Sequence, residues 1–294
     1  MIKTSREAID KESVSPELLS IMKKQGALGV LQPSDIEDAE RYQRNVAVFR
    51  EQEAAEGSVE DLFDDIIFDF DGVLFDGMYP VNKAVELMIK AKGDKKIPET
   101  STVTLDDVAV SFQSPFQKFY RRFGIFLDTP EEIAEFKKDY REVQARINAE
   151  HHTPAAIFPE VHDVLEKLRR AKADRPHLRI HIISAGAEKH IQHILAEADI
   201  AQDFDQIHAE CHDKFAMIDA IAQRSSARER TVMIGDLPSD IKDGQRVSGV
   251  KTIAIARNAR AQDWLEMYLP DYIIKDLNGL FSLQSFAKIL KSRN

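Results

Sequence analysis

The sequence predicts an α/β fold: a parallel sheet with helices on both faces, an inserted helical subdomain, and an extra helical segment in front. Three observations carry this. Short apolar runs recur late in the chain, at RIHIIS (179–184), FDQIH (204–208), TVMIG (231–235) and VKTIAIA (250–256), with helical patterns between them. One further run, DIIFDF (65–70), lies far upstream. The interval 78–155 between holds no good strand. Strands that alternate with helices call for a parallel sheet covered on both faces.

The elements follow in order. Ser15-Pro16-Glu17 supplies a cap and a first-turn proline ahead of LLSIMKK. Ser34 and Glu37 form a capping-box pattern before a long helical stretch. Residues 50–61, REQEAAEGSVED, read as an exposed helix end and a linker. DIIFDF then reads as a buried strand that meets a tight turn at Asp71-Gly72. Inside the insertion, Thr129-Pro130-Glu131-Glu132 starts a helix, and Ile133, Phe136, Tyr140, Val143 and Ile147 form one apolar stripe behind it. Val161, Val164, Leu165 and Leu168 mark a helix over 159–172, and Phe215, Ile218 and Ile221 another over 214–223. The expected division is an N-terminal helical extension (1–62), an α/β core (63–77 and 156–294) and an inserted helical subdomain (78–155).

Composition bounds the function. At roughly 100–200 residues per domain, 294 residues favour two domains. Apolar residues at 43% and charged residues at 31% are ordinary for a soluble globular chain. Cys211 is the one cysteine, so an intrachain disulfide and a cysteine-rich metal site are excluded. No run approaches the roughly 18–20 apolar residues of a membrane span, and MIKTSREAIDKES has no signal-peptide core, so a cytoplasmic location without a membrane partner is expected. The net charge is −10, and no cluster of basic residues offsets it; no nucleic-acid partner is expected. A small phosphate ligand is not excluded, because local acids can hold a metal that reverses the local field.

In open parallel sheets, ligands bind at the carboxyl ends of the strands. The first strand ends on Asp69-Phe70-Asp71-Gly72, the second on Ser184-Ala185-Gly186, and the fourth on Gly235-Asp236 with Asp240 four residues on; Lys214 opens the helix before the fourth. Three strand-end acids (Asp69, Asp71 and Asp236), a hydroxyl and a lysine therefore converge on one rim. Two carboxylates plus Asp236 make an oxygen-only site, which suits Mg2+. Ser184 and the amides after it can donate to phosphoryl oxygens, and Lys214 supplies a point charge. A carboxylate attacking a phosphate dianion meets like-charge repulsion of about 4 kcal/mol per charge pair at about 4 Å and an effective dielectric near 20. A divalent cation and a lysine offset that repulsion.

DFDGVLFDG, the strand ending in Ser184, the isolated Lys214 and GDLPSD resemble the four motifs of the haloacid dehalogenase superfamily, over roughly 63–280. The resemblance implies a Rossmann-like core and makes the insertion a helical C1 cap. It implies Asp69 as the nucleophile that becomes an aspartyl phosphate and Asp71 as general acid/base. It further implies Mg2+ on Asp69, the backbone carbonyl of Asp71, and Asp236. Ser184, Ala185, Lys214 and Gly72 would bind the phosphoryl group, and Asp240 would support Lys214. Asp76 would fall in the hinge. An Asp two residues after the nucleophile resembles the phosphatases and phosphomutases of the family, not its dehalogenases. The Lys-Gly-x-x-Arg-like segment usual in sugar phosphomutases is absent from 78–155, which favours hydrolysis. The expected function is a Mg2+-dependent phosphatase for a small phosphorylated metabolite. The alternatives are a phosphomutase, or a non-catalytic binding module whose N-terminal helices mediate self-association or hold a protein partner.

Other charged residues read as surface. Asp64, Asp65 and Asp243 are expected to be exposed. Lys118, Tyr120, Arg121 and Arg122, beside Phe112, Phe116 and Phe119, read as an amphipathic helix with a charged outer face in preference to a specificity patch. DFDG is no EF-hand, which needs its glycine at the sixth position. The chain holds no GxGxxG for a dinucleotide.

Overall fold

The computed structural model describes residues 14–24, 33–52, 54–111, 116–150, 157–211, 213–257 and 259–292. Phe112, the Ser34 side chain and the expected boundary at 155–156 lie outside the described residues.

Six parallel strands form one sheet: β1 (Asp65–Phe68), β2 (Arg179–Ile183), β3 (Gln206–His208), β4 (Thr231–Gly235), β5 (Lys251–Ile255) and β6 (Tyr272–Ile274), in the order β3-β2-β1-β4-β5-β6. β1 lies between β2 and β4, with Ile66 opposite Ile180 and Val232. Strand order reverses between β1 and β4, and in such sheets a crevice opens there at the carboxyl ends. All four residues of β1 are buried, which explains why it reads as a continuous apolar run without alternation. Ile66, Ile67 and Phe68 are each fully covered, worth roughly 1.5–3 kcal/mol per side chain. β6 was not expected: three residues, YII, carry too little pattern to read as a strand.

The chain divides into two compact units, residues 1–45 with 78–154, and residues 46–77 with 155–294. The second unit holds the sheet. Its main core joins Phe68, Phe70 and Phe75 to Val161, Val164, Leu165 and Leu168 of the helix Val161–Asp174. The segment read as an exposed linker is laid on this core instead. Tyr272 donates its hydroxyl to the Ala55 carbonyl at 2.7 Å, Gly57 pairs with Leu283, and Val59 is fully buried.

The first unit is helical. Its core gathers Val85, Met88 and Ile89 with Phe119, Tyr120, Phe123 and Phe136. The long helix Pro130–Glu150 starts as its capping box requires: Glu132 accepts from the amides of Asp128 (2.9 Å) and Thr129 (3.0 Å), and the Glu132 amide donates to Thr129 Oγ1 (3.2 Å). The helix Pro16–Lys24 begins where Ser15 accepts the Leu18 amide at 3.2 Å. Arg122, expected on a charged outer face, is buried. It makes a two-pronged ion pair with Asp35 at 2.6 and 2.8 Å. The sequence places these partners 87 residues apart, so no local pattern announces the pair.

Asp64 and Asp65, expected at the surface, are also buried. Asp65 opens the central strand and Asp64 directly precedes it, so both enter the protein with it. Asp64 accepts from Arg230 and Ser226 at 2.8 and 2.7 Å, and Asp65 meets Arg179 and His181 at 2.8 and 2.9 Å. No helix among the described residues is long and apolar enough to cross a membrane.

Candidate active site

Asp69 follows β1 directly. Its amide donates to the Ile234 carbonyl of β4 at 2.9 Å, which fixes where its side chain leaves the sheet. Its Oδ1 accepts the Phe70 amide at 2.8 Å and meets Lys214 Nζ at 2.8 Å. Oδ2 is left without a hydrogen bond among the described residues. Burial pushes the Asp69 carboxyl up, to about 7, although Lys214 opposes the shift.

Lys214 opens the helix Lys214–Ala222, which Asp213 caps by accepting the Ala216 amide at 3.2 Å. The same ammonium reaches Asp240 Oδ1 at 2.7 Å. Asp240 is fully buried near the start of the helix Pro238–Arg246, and its Oδ2 accepts the Leu237 amide at 3.1 Å. Gly235 is required beside it: a Cβ there would stand 2.2 Å from the Asp240 Cβ.

Asp236 follows β4 directly and has no ion pair among the described residues. Its Oδ1 is buried with no hydrogen-bond partner among the described residues. Burial first, then the charges of Asp69 and Asp240, hold its carboxyl well above the usual range. Gly72 makes room for it. A Cβ on Gly72 would lie 2.0 Å from Asp236 Oδ2, and the residue's φ of +79° is one glycine adopts freely.

Asp69, Asp236 and Asp240 each offer an oxygen within 4.8 Å of the others. Both oxygens of Asp240 are already engaged, by Lys214 and the Leu237 amide, whereas Asp236 Oδ1 has no partner among the described residues. The arrangement is a gathering of acids with one orphaned buried carboxylate oxygen, which fits a hard divalent cation.

Asp71 and Ser184 flank Gly186. A Cβ on Gly186 would lie 3.1 Å from Ser184 Oγ and 3.5 Å from Asp71 Oδ2, so the bare glycine leaves both open to the same space. Ser184 is buried, and its Oγ accepts the Gly186 amide at 2.9 Å, which leaves its own proton free to donate. Ala185 is exposed on the same rim. Burial raises the Asp71 carboxyl, with His190 and Lys214 opposing. The geometry thus joins Asp69, Lys214 and Asp240 directly, sets an Asp236 oxygen within 4.8 Å of oxygens of Asp69 and Asp240, and brings Gly72 to Asp236 and Asp71 to Ser184 across Gly186. Asp76 is exposed. Sequence reasoning passed over Gly186 and His190; the Ser-Ala-Gly strand end was the available signal for the first, and His190 carried none.

The family model for haloacid dehalogenase-like hydrolases matches residues 66–255, more than half of the chain. The chain belongs to that family. This hydrolase is 28% identical over 236 residues to a protein from Oceanobacillus iheyensis named pyrophosphatase PpaX, covering 76% of this chain and 98% of that one. A PpaX from Bacillus mycoides is 26% identical over 147 residues, covering 48% of this chain and 66% of that one. Among solved structures, the hydrolase resembles a haloacid dehalogenase-like family protein from Streptococcus pneumoniae, with a TM-score of 0.52, 20% identity, and coverage of 80% of this chain and all 100% of that one. A putative haloacid dehalogenase-like hydrolase from Bacteroides fragilis gives a TM-score of 0.53 at 20% identity, over 74% of this chain and 99% of that one. At these identities the structural likeness speaks for the fold.

Proposed function

We propose that this hydrolase is a Mg2+-dependent phosphatase for a small phosphorylated molecule, and that Asp69 is its nucleophile. One observation carries the reading: Asp69 has Oδ1 pinned by Lys214 and the Phe70 amide, while Oδ2 is left without a hydrogen bond among the described residues. An oxygen held in place and unbonded is ready for in-line attack.

Asp69 Oδ2 attacks phosphorus, and the ester oxygen leaves. Asp71, whose carboxyl burial raises, holds the proton that the leaving oxygen takes up. The same carboxylate then accepts a proton from the water that attacks the aspartyl phosphate, which releases phosphate and restores Asp69. Ser184 donates its hydroxyl to a phosphoryl oxygen, and the Ala185 amide lines the same rim; the Gly72 amide is already engaged by the Phe75 carbonyl at 2.8 Å, so Gly72 contributes by leaving room for Asp236. Lys214 faces the phosphoryl charge and is kept protonated by Asp240 and Asp69, which outweigh the cost of burial. Asp240 holds Lys214 in place. Mg2+ would sit on Asp69, Asp236 and the Asp71 carbonyl, where it would neutralise charge on the phosphoryl oxygens.

Inorganic pyrophosphate is a second candidate substrate, favoured by the name of the Oceanobacillus iheyensis relative, which is matched over 98% of its length. The test is phosphate release from an aryl phosphate, a panel of metabolite esters and pyrophosphate, with and without Mg2+. Turnover that requires Mg2+ and is lost in Asp69→Asn supports the reading. An Asp69→Asn variant as active as wild type overturns it.

A further inference from the structure

The turn that carries Asp71 is closed on its inner side by its own amides. Gly72 donates to the Phe75 carbonyl at 2.8 Å, and Leu74 and Phe75 both donate to the Phe70 carbonyl at 2.9 Å. That leaves the carbonyls of Gly72 and Val73 in need of donors. Both find them on one side chain. Arg257, just past the end of β5, donates Nε to the Gly72 carbonyl at 3.1 Å and Nη2 to the Val73 carbonyl at 2.8 Å. Its third nitrogen, Nη1, donates to Glu160 Oε1 at 2.8 Å, and its Cζ lies 3.3 Å from the centroid of the Phe158 ring. The guanidinium is thus fixed on three edges and one face.

Phe158 and Glu160 belong to the segment where the chain returns from its helical insertion. That segment is itself joined to the turn: Ile157 pairs with Phe75, and the Phe158 amide donates to the Leu74 carbonyl at 2.9 Å. A planar fork can hold two successive carbonyls and a carboxylate at once; an ammonium, as a point charge, cannot reproduce that geometry. The turn has little slack on its other side, where Gly72 already lies against Asp236.

The geometry points to Arg257 as a positioning residue: by gripping the carbonyls of Gly72 and Val73 it sets where the turn presents Asp71. This rests on the proposed role of Asp71 and goes beyond it, because Arg257 belongs to none of the strand-end motifs.

The experiment compares wild type, Arg257→Ala, Arg257→Lys, Asp71→Asn and Asp71→Asn/Arg257→Ala. It reads kcat and KM on an aryl phosphate with Mg2+, the melting temperature, and amide hydrogen exchange over 70–75. The expected result is a roughly 10- to 100-fold fall in kcat for both single Arg257 variants, since a misplacement of about 1 Å costs on that order. KM should stay within about twofold, because ground-state binding is untouched. In the Asp71→Asn background, Arg257→Ala should cost nothing more, because residues that act as one unit are not additive. Exchange at Gly72, Leu74 and Phe75 should rise in a protein that still melts cooperatively. A kcat unchanged in Arg257→Ala, an equal added loss in the Asp71→Asn background, or unchanged exchange at the turn would each overturn the proposal. Wild type against Asp69→Asn in the same assay reads the proposed function separately, and the exchange result judges the grip on the turn whether or not there is turnover.

Discussion

Lys214 Nζ stands 2.8 Å from Asp69 Oδ1. Since Asp240 Oδ1 is 2.7 Å from the same nitrogen, one ammonium serves two buried carboxylates. Neither acid has another cation among its ion pairs in the described residues. In a buried site this bridge fixes geometry and charge together, and the rest of the cluster depends on it.

Lys214→Met should therefore act twice. It leaves Asp69 and Asp240 buried and unpaired, a loss of about 3–5 kcal/mol of folding stability without metal. It also removes a donor facing the phosphoryl charge, which lowers kcat on the order of 10²–10³-fold. Denaturant melts and steady-state rates check both; wild-type rates in the Lys214→Met variant would remove Lys214 from the proposed site.

Asp236→Asn separates the cation's role from that of the fold. Asp236 is half-buried, and its buried Oδ1 lacks a hydrogen-bond partner among the described residues, so neutralising it relieves repulsion with Asp69 and Asp240. The metal-free variant should be at least as stable as metal-free wild type. Mg2+ should raise the melting point of wild type, by up to about 2.7 kcal/mol of stability at 100 times Kd, and do little for the variant. Equal responses to Mg2+ in both proteins would place the cation elsewhere.

In the helical unit, Asp35→Asn should be severe. It leaves Arg122 without its carboxylate in a buried setting, at a cost of about 3–5 kcal/mol, whereas Asp35→Leu with Arg122→Met should recover much of the loss. Limited proteolysis and hydrogen exchange over 78–150 measure this. Removal of residues 1–45 should expose the same region, because those residues cluster with it.

Acid should destabilise the sheet through Asp64. Burial pushes its carboxyl up, but hydrogen bonds from Arg230 and Ser226 outweigh this and hold it at about 2. A folded value below the unfolded one of about 3.9 means the contribution is present above roughly pH 4 and lost as pH falls toward 2. With solvent screening of the arginine partners allowed for, it is about 1–2 kcal/mol. The stability difference between wild type and Asp64→Asn should shrink across that window; a constant difference would show that Asp64 does not titrate as the structure implies.

The legible parts of this fold were those with local period or spacing. Five strand positions could be read, because β1, β2, β4 and β5 are apolar runs and β3 falls within the shorter run FDQIH, and so could the start of the helix Pro130–Glu150, because a capping box is a four-residue signal. Asp69, Asp71 and Asp236 of the candidate site stood out because each falls at a strand end. Long-range pairing was not legible. Arg122 looked like one surface charge among several until Asp35, 87 positions away, was found beside it. Asp65 looked exposed because an acid at the start of a strand usually is, and its burial depends on Arg179 and His181 of the neighbouring strand. Arg257 is 185 residues from the carbonyl it holds, and no spacing rule reaches that far.

In the proposed reaction Asp69 takes the phosphoryl group. The most direct measurement is to quench Asp71→Asn in acid during turnover of an aryl phosphate with Mg2+ and map the modification by mass spectrometry. The expected result is a single phosphoryl group on Asp69, held because the residue that would activate water is gone. Phosphate released with no phosphoryl group on the protein, or one found on another residue, would contradict the account.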